Sequence, residues 1–117
     1  MMNRRLLLTA VAVLAMGAPR LLAAPAKMDP PGDCTKEKHR ALQDEVNRAC
    51  KGQKMKCTQN QDCVTLETNL MYFENCIRAR RAIMDQCFRG GDKQHNQQLE
   101  DAMRGYRYCV DLIECFC

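Results

Sequence analysis

Apolar residues recur at helical spacing in three segments of the chain, with polar stretches between them. The longest segment runs from about Asp62 to Phe88 and contains a stripe formed by Leu66, Leu70, Phe73, Ile77, Met84 and Phe88. Gly90 and Gly91 follow it, and glycine readily adopts the left-handed conformation that favours the end of a helix. The pattern therefore predicts one long helix that stops at this glycine pair.

A shorter helix is predicted before this segment and another after it. The first begins at a cap, Asp33 or Thr35, behind the proline-rich lead-in "KMDPPGD", and runs to about Lys51. Asp92 is predicted to cap the last helix, whose stripe is Leu99, Met103, Tyr106, Val110 and Ile113. No strand pattern or internal repeat interrupts this order. The sequence therefore predicts an all-α fold, a small antiparallel bundle of about three helices.

The N-terminus has the pattern of a secretory signal peptide. The stretch "MNRRLLLTAVAVLAMGA" places a basic tip before an apolar run that is too short to span a bilayer, and "APA" at residues 24–26 offers a cleavage site. We expect a signal peptide at 1–26, an exported domain at 27–117, and no membrane span in the mature chain. Arg4 and Arg5 also fit twin-arginine export, but the cysteine content favours the general secretory route.

All nine cysteines follow this signal pattern, which is typical of a small exported scaffold stapled by disulfides. The candidates are Cys34, Cys50, Cys57, Cys63, Cys76, Cys87, Cys109, Cys115 and Cys117. The odd number leaves at least one thiol free or paired between chains. Structural zinc is the competing interpretation, but the spacings lack the paired C-x2-C motifs of such sites. The connectivity remains open at this point.

The charge balance gives no strong indication of a nucleic-acid partner. The whole chain carries a net +4, but three of its 18 basic residues, Arg4, Arg5 and Arg20, belong to the predicted signal. Without these three, 15 basic residues (18 − 3) stand against 14 acidic ones, so the mature domain is close to neutral. Any site for an anion must therefore come from a local cluster rather than from the total charge.

Three polar side chains are predicted to face the core side of their helices. On a helical wheel, Arg80 falls about 60° from Ile77, His39 about 60° from Leu42, and His95 about 40° from Leu99. Burial of such groups is costly unless they are paired or line a cleft. Short connections make successive helices antiparallel, so all three are expected to meet at one end of the bundle.

This trio matches the requirements of phosphodiester cleavage without a metal or other cofactor. One imidazole takes a proton from the nucleophile, the other protonates the leaving oxygen, and the guanidinium binds the charged phosphate. Asp44, Glu45 and Asp92 offer an alternative, in which the histidines and carboxylates hold a divalent metal. The structural alternatives are that Asp92 only caps its helix and that Arg80 pairs with Glu45 or Asp44. For the histidines, they are that His95 only covers the exposed first turn of its helix and that His39 is a satisfied boundary residue.

Several motifs resemble the Novel toxin 16 family of bacterial polymorphic toxins. They are His39, Leu42 and Gln43 in "HRALQ", Ala79 and Arg80 before Cys87 and Phe88, and Gly90, Gly91, Asp92 and His95 in "GGDKQH". The resemblance covers about residues 38 to 110 and implies a toxin domain used against competing cells, with an immunity protein as a candidate partner. Such modules usually end a long delivery protein, whereas this chain has its own predicted signal.

Together these observations favour an exported, periplasmic or secreted toxin-like domain. Its predicted activity is that of a metal-independent ribonuclease or phosphodiesterase using His39, Arg80 and His95. The alternative is a non-catalytic secreted module, stapled by disulfides, with a binding or structural role.

Overall fold

The computed structural model describes residues 27–51 and 56–117, and these ranges contain helices, turns and no strand. The helices are α1 at Lys36–Ala49, α2 at Cys63–Cys87 and α3 at Lys93–Phe116. The all-α prediction is confirmed, and the predicted helix ends lie within about two residues of the observed ones. The predicted signal peptide, residues 1–26, lies outside the described residues.

Each helix begins at a side chain that accepts a hydrogen bond from the first turn. Thr35 accepts from the N–H of Lys38, Asp62 from that of Thr65, and Asp92 from that of His95. These caps satisfy backbone donors that have no partner within the helix. The first helix therefore starts at Thr35, the second of the two caps that the sequence offered.

The long helix α2 lies at the centre, and both other helices pack against it. Within the described ranges, no Cα atom of α1 lies within 8 Å of one in α3. The molecule is therefore a layer with α2 in the middle rather than a closed bundle. One core cluster, around Ile83 and Phe88, lies under α1 at the C-terminal half of α2, and a second, around Leu66 and Leu112, lies under α3 at the other end.

Four disulfides fasten the outer helices to the central one. Cys34–Cys87 and Cys50–Cys76 bind the two ends of α1 to α2. Cys57–Cys109 and Cys63–Cys117 bind the C-terminal half of α3 to the start of α2 and the segment before it. The remaining thiol, Cys115, is free and exposed. Disulfide stapling is thus present, and the odd cysteine lies near the C-terminus.

A tight reversal joins α2 to α3. Arg89, Gly90 and Gly91 all have positive φ angles, of 53°, 84° and 110°. Three consecutive left-handed residues turn the chain sharply and bring the start of α3 back beside the end of α2. Residues 27–34, the first that the structure describes, pack over the same end of α2 and are called the strap below.

Candidate functional site

Arg80 projects from α2 into the space between α1 and α3. Its Nη1 donates a hydrogen bond to Oε1 of Gln98 on α3 at 3.1 Å. Its Nε atom is buried and has no hydrogen-bond partner among the described residues. Burial lowers the pKa of this guanidinium and the charge of Asp101 opposes that shift, but arginine remains protonated in either case. Arg80 therefore offers an unused donor on a permanent cation.

Asp92 and His95 form a close pair at the start of α3. The Asp92 side chain is about 1% exposed, and its Oδ1 lies 2.7 Å from Nδ1 of His95. The same oxygen accepts the His95 backbone N–H at 2.9 Å, while Oδ2 accepts the N–H of Met28 at 3.0 Å. This carboxylate thus does more than cap the helix, because it also contacts the imidazole and the strap.

The protonation state of Asp92 follows from these contacts. Burial alone would raise its pKa, but the backbone N–H groups of Met28 and His95 and the His95 ring together lower the pKa to about 2. An ionised carboxylate accepts hydrogen bonds only, so Nδ1 of His95 must carry a proton. When the imidazole is neutral, its other nitrogen, Nε2, is therefore the basic atom.

The ring of Phe88 contacts both histidines. It is fully buried and stacks on the imidazole of His95, with ring centroids 4.1 Å apart and planes inclined by 26°. His39 meets the same phenyl ring in an edge-to-face arrangement, with centroids 5.9 Å apart. The two imidazoles, which come from α1 and α3, thus share one aromatic neighbour at the end of α2.

Arg80 and His95 line one cavity of about 380 Å³. The strap, α1, α2 and α3 all contribute to its wall, through Lys27, Met28, Pro30, Gln43, Val46, Asn47, Cys50, Ile83, Met84, Gln94 and Gln98. Four of these are amide side chains, which can both donate and accept hydrogen bonds. His39 is not among the lining residues. The structure therefore brings Arg80 and His95 together, and places His39 against Phe88 instead.

The alternatives to a shared site can also be compared with the structure. Glu45 pairs with Arg48 on its own helix and Asp44 is exposed, so the predicted ion pair between Arg80 and either carboxylate is not observed. In the described ranges, no group of three or more histidine, cysteine, aspartate or glutamate side chains has an arrangement that could hold a metal ion. Eight of the nine cysteines are joined in disulfides rather than arranged as zinc ligands.

A larger groove, of about 750 Å³, lies between α1 and α2 on the other side of α1. Arg48, Tyr72 and Arg78 line it, but no histidine does, and its one carboxylate, Glu45, already pairs with Arg48. We therefore regard the smaller cavity as the candidate site, because it combines a cation, Arg80, with an imidazole, His95, that the buried Asp92 carboxylate orients.

Three contributors to this site were not identified from the sequence. Gln98 as the partner of Arg80 depends on the axial offset between α2 and α3, which no periodicity reveals. The Met28 amide belongs to a segment in which the sequence pattern indicates only a proline-rich lead-in. The spacing of Asp92 and His95 in the sequence does indicate their contact, since a cap and the residue three positions later lie side by side in the first turn.

The fold and the site together define a small all-helical domain, stapled by disulfides, with a polar cavity near the C-terminal end of its central helix. The family model of Novel toxin 16 matches residues 30–112 of the chain. The chain therefore belongs to the Novel toxin 16 family, as the sequence motifs indicated. Comparison with curated proteins and with solved structures gave no match. No helix in the described ranges is both long and apolar enough to cross a membrane.

Proposed function

We propose that this toxin-family domain cleaves the phosphodiester backbone of RNA without a metal ion. The observation that carries the proposal is the oriented imidazole of His95, held by buried Asp92, in the same cavity as Arg80. A positioned general base and a cation for the phosphate are two of the components that such a reaction requires. The cavity volume also lies in the range of small-ligand sites, about 300–1,000 Å³.

In the proposed reaction, Nε2 of His95 accepts the proton of a ribose 2′-hydroxyl. The 2′ oxygen then forms a bond to phosphorus, and the bond from phosphorus to the 5′ oxygen breaks. Arg80 donates hydrogen bonds to the phosphate oxygens, on which negative charge accumulates. Asp92 keeps the proton on Nδ1, so that Nε2 stays available as the base.

The departing 5′ oxygen needs a proton, and His39 is the proposed donor. Its ring contacts Phe88 and does not line the cavity, so this role requires His39 to approach the bound strand. The role of His39 is therefore tested separately from that of His95.

The test is cleavage of a fluorescently labelled RNA oligonucleotide by the exported, oxidised protein. We expect His95→Ala to lower kcat about 100- to 10,000-fold, the usual contribution of a general acid or base. Arg80→Gln is expected to lower kcat/KM about 100-fold or more, whereas the matched control Arg81→Gln, at an exposed position one residue further on, should stay within about twofold. The same sequence in DNA, which lacks the 2′-hydroxyl, should remain intact.

Two results would contradict this proposal. One is cleavage that persists in a His39→Ala, His95→Ala double variant, and the other is cleavage that is abolished by a chelator and restored by a divalent metal. If His95→Ala is inactive and His39→Ala is not, the general base is retained and the proposed donor role is wrong.

A second candidate function is non-catalytic binding of an anionic group in the same cavity. The unpartnered Nε of Arg80 favours it, because a ligand oxygen would satisfy a buried donor that the described chain leaves open. In that case the RNA oligonucleotide or inorganic phosphate binds without turnover, and Arg80→Gln weakens binding while His95→Ala does not.

We further propose that the domain acts after export, in the periplasm or outside the cell, and that an immunity protein binds it in the producing cells. Four disulfides support an oxidising compartment, since they form and persist there. Detection of the processed chain in a periplasmic or extracellular fraction, with its N-terminus near Lys27, is the expected result.

A further inference from the structure

The strap is fastened to the end of α2 by several independent contacts. Cys34 forms its disulfide with Cys87, and the N–H of Asp33 donates to the carbonyl oxygen of Cys87 at 2.8 Å. Arg89 forms an ion pair with the Asp33 carboxylate at 2.9 Å. Gly32 has a φ of 63°, and a Cβ atom there would overlap the Cys87 carbonyl. The strap thus approaches α2 more closely than any side chain at position 32 would allow.

The other end of the strap reaches the Asp92–His95 pair. Met28 packs against the core cluster that contains Phe88, and its backbone N–H makes the only hydrogen bond to Oδ2 of Asp92 from the described residues. The second carboxylate oxygen, Oδ1, contacts His95. The carboxylate is therefore held on one side by the strap and on the other by α3. Without the Met28 contact, it could rotate about its terminal bond and release the imidazole.

We propose that the strap is a positioning element of the site, in which the Cys34–Cys87 disulfide, acting through the Met28 amide, sets the orientation of Asp92 and hence of His95. The link to catalysis rests on the proposed function, but the link to the carboxylate does not. Met28 is a positioning residue, since its backbone touches Asp92 and no reacting atom. The site is then complete only in the oxidised chain.

The amide contact is tested by comparing Met28→Pro with Met28→Leu. Proline removes the N–H and leucine keeps both the N–H and the apolar bulk. The readouts are the carboxyl titration of Asp92 and the nitrogen shifts of the His95 ring, both measured by NMR. We expect Met28→Pro to raise the pKa of Asp92 by about one unit and to let the neutral His95 ring populate both tautomers. Met28→Leu should match the parent protein in both measurements.

An internal control is present in the same spectra. Asp62 caps α2 at the far end of the molecule, and its pKa is lowered by the backbone and side-chain hydrogen bonds of Thr65. A general loss of structure would move the titration of Asp62 as well, whereas loss of the Met28 contact alone would not. An unchanged Asp92 titration in a folded Met28→Pro variant would overturn the proposal.

The role of the disulfide is tested with two double variants, each of which removes one disulfide, and the two disulfides close loops of similar length. Cys34 and Cys87 are 53 residues apart, and Cys63 and Cys117 are 54 apart, so the two removals release nearly the same loop-closure entropy. We expect Cys34→Ala, Cys87→Ala to raise the pKa of Asp92 and to lower RNA cleavage at least tenfold. Cys63→Ala, Cys117→Ala should leave both within error, at a temperature where both proteins are folded.

Equal effects of the two double variants on Asp92 would show that the strap has no special role. If the parent protein does not cleave RNA, the proposed function fails, and the Asp92 titrations still decide the strap proposal. The two proposals can therefore fail separately.

Discussion

Acid stability provides the sharpest test of how Asp92 is held. Its carboxylate is almost fully buried and accepts hydrogen bonds from Met28, from the His95 backbone and from the His95 ring. Asp92→Asn keeps the size of the side chain but removes its charge and its titration. We expect the free energy of unfolding to fall in this variant at neutral pH, and the deficit to depend on pH.

The size of the effect follows from the pKa of Asp92 in the two states. It is 3.8 in the unfolded chain and about 2 in the folded one. At 1.36 kcal/mol per pKa unit, this difference corresponds to about 2 kcal/mol of stability. Because the folded pKa is the lower one, the contribution is complete above about pH 4 and is lost as the pH falls toward 2.

The assay is urea unfolding of both proteins between pH 6 and pH 2, with the disulfides intact. The difference in free energy of unfolding should shrink by about 2 kcal/mol on acidification, and most of the change should occur below pH 4. Asp62→Asn is the matched control, because Asp62 caps α2 in the same way but is exposed. A difference that stays constant from pH 6 to pH 2 would refute the link between the Asp92 contacts and its lowered pKa.

Two further predictions concern packing and the free thiol. A glycine-to-alanine change inside a helix normally stabilises it by about 1 kcal/mol. At Gly105, however, the added Cβ would overlap the Phe73 ring, so we expect Gly105→Ala to lower the urea midpoint. A raised midpoint would show that Phe73 moves away at little cost. Cys115 is free and exposed, so Cys115→Ser should leave the thermal midpoint unchanged and abolish any disulfide-linked dimer on a non-reducing gel. Persistence of such a dimer would mean that another cysteine is reactive.

The helices could be predicted from the sequence because each has a local start and the long helix also has a local stop. Asp62 and Asp92 mark two starts, and Gly90 and Gly91 end the long helix. The disulfide pairs could not be predicted, since they depend on which part of α2 lies beneath each outer helix. That register is set by the packing of many side chains at once, and no single motif encodes it.

The sequence predicts toward which side of its helix each site residue points, but not which side chains it meets there. A helical wheel gives the rotation of Arg80 and His95 toward the core side, and both line the cavity. The same wheel turns His39 inward, but it contains no information about the bulk of neighbouring side chains. Phe88 occupies the space that His39 faces, so its ring meets a phenyl group rather than the cavity. Predicting that outcome requires three-dimensional packing.

The arrangement of the four disulfides also determines whether proteases can separate fragments of the domain. Any backbone cut between Cys34 and Cys117 falls inside at least one closed loop, and a cut at Arg89 falls inside two. A nicked molecule would therefore keep all of its pieces covalently attached, and its mass would change only by the water added in hydrolysis. Fragments would separate only once a reductant had opened the bridges.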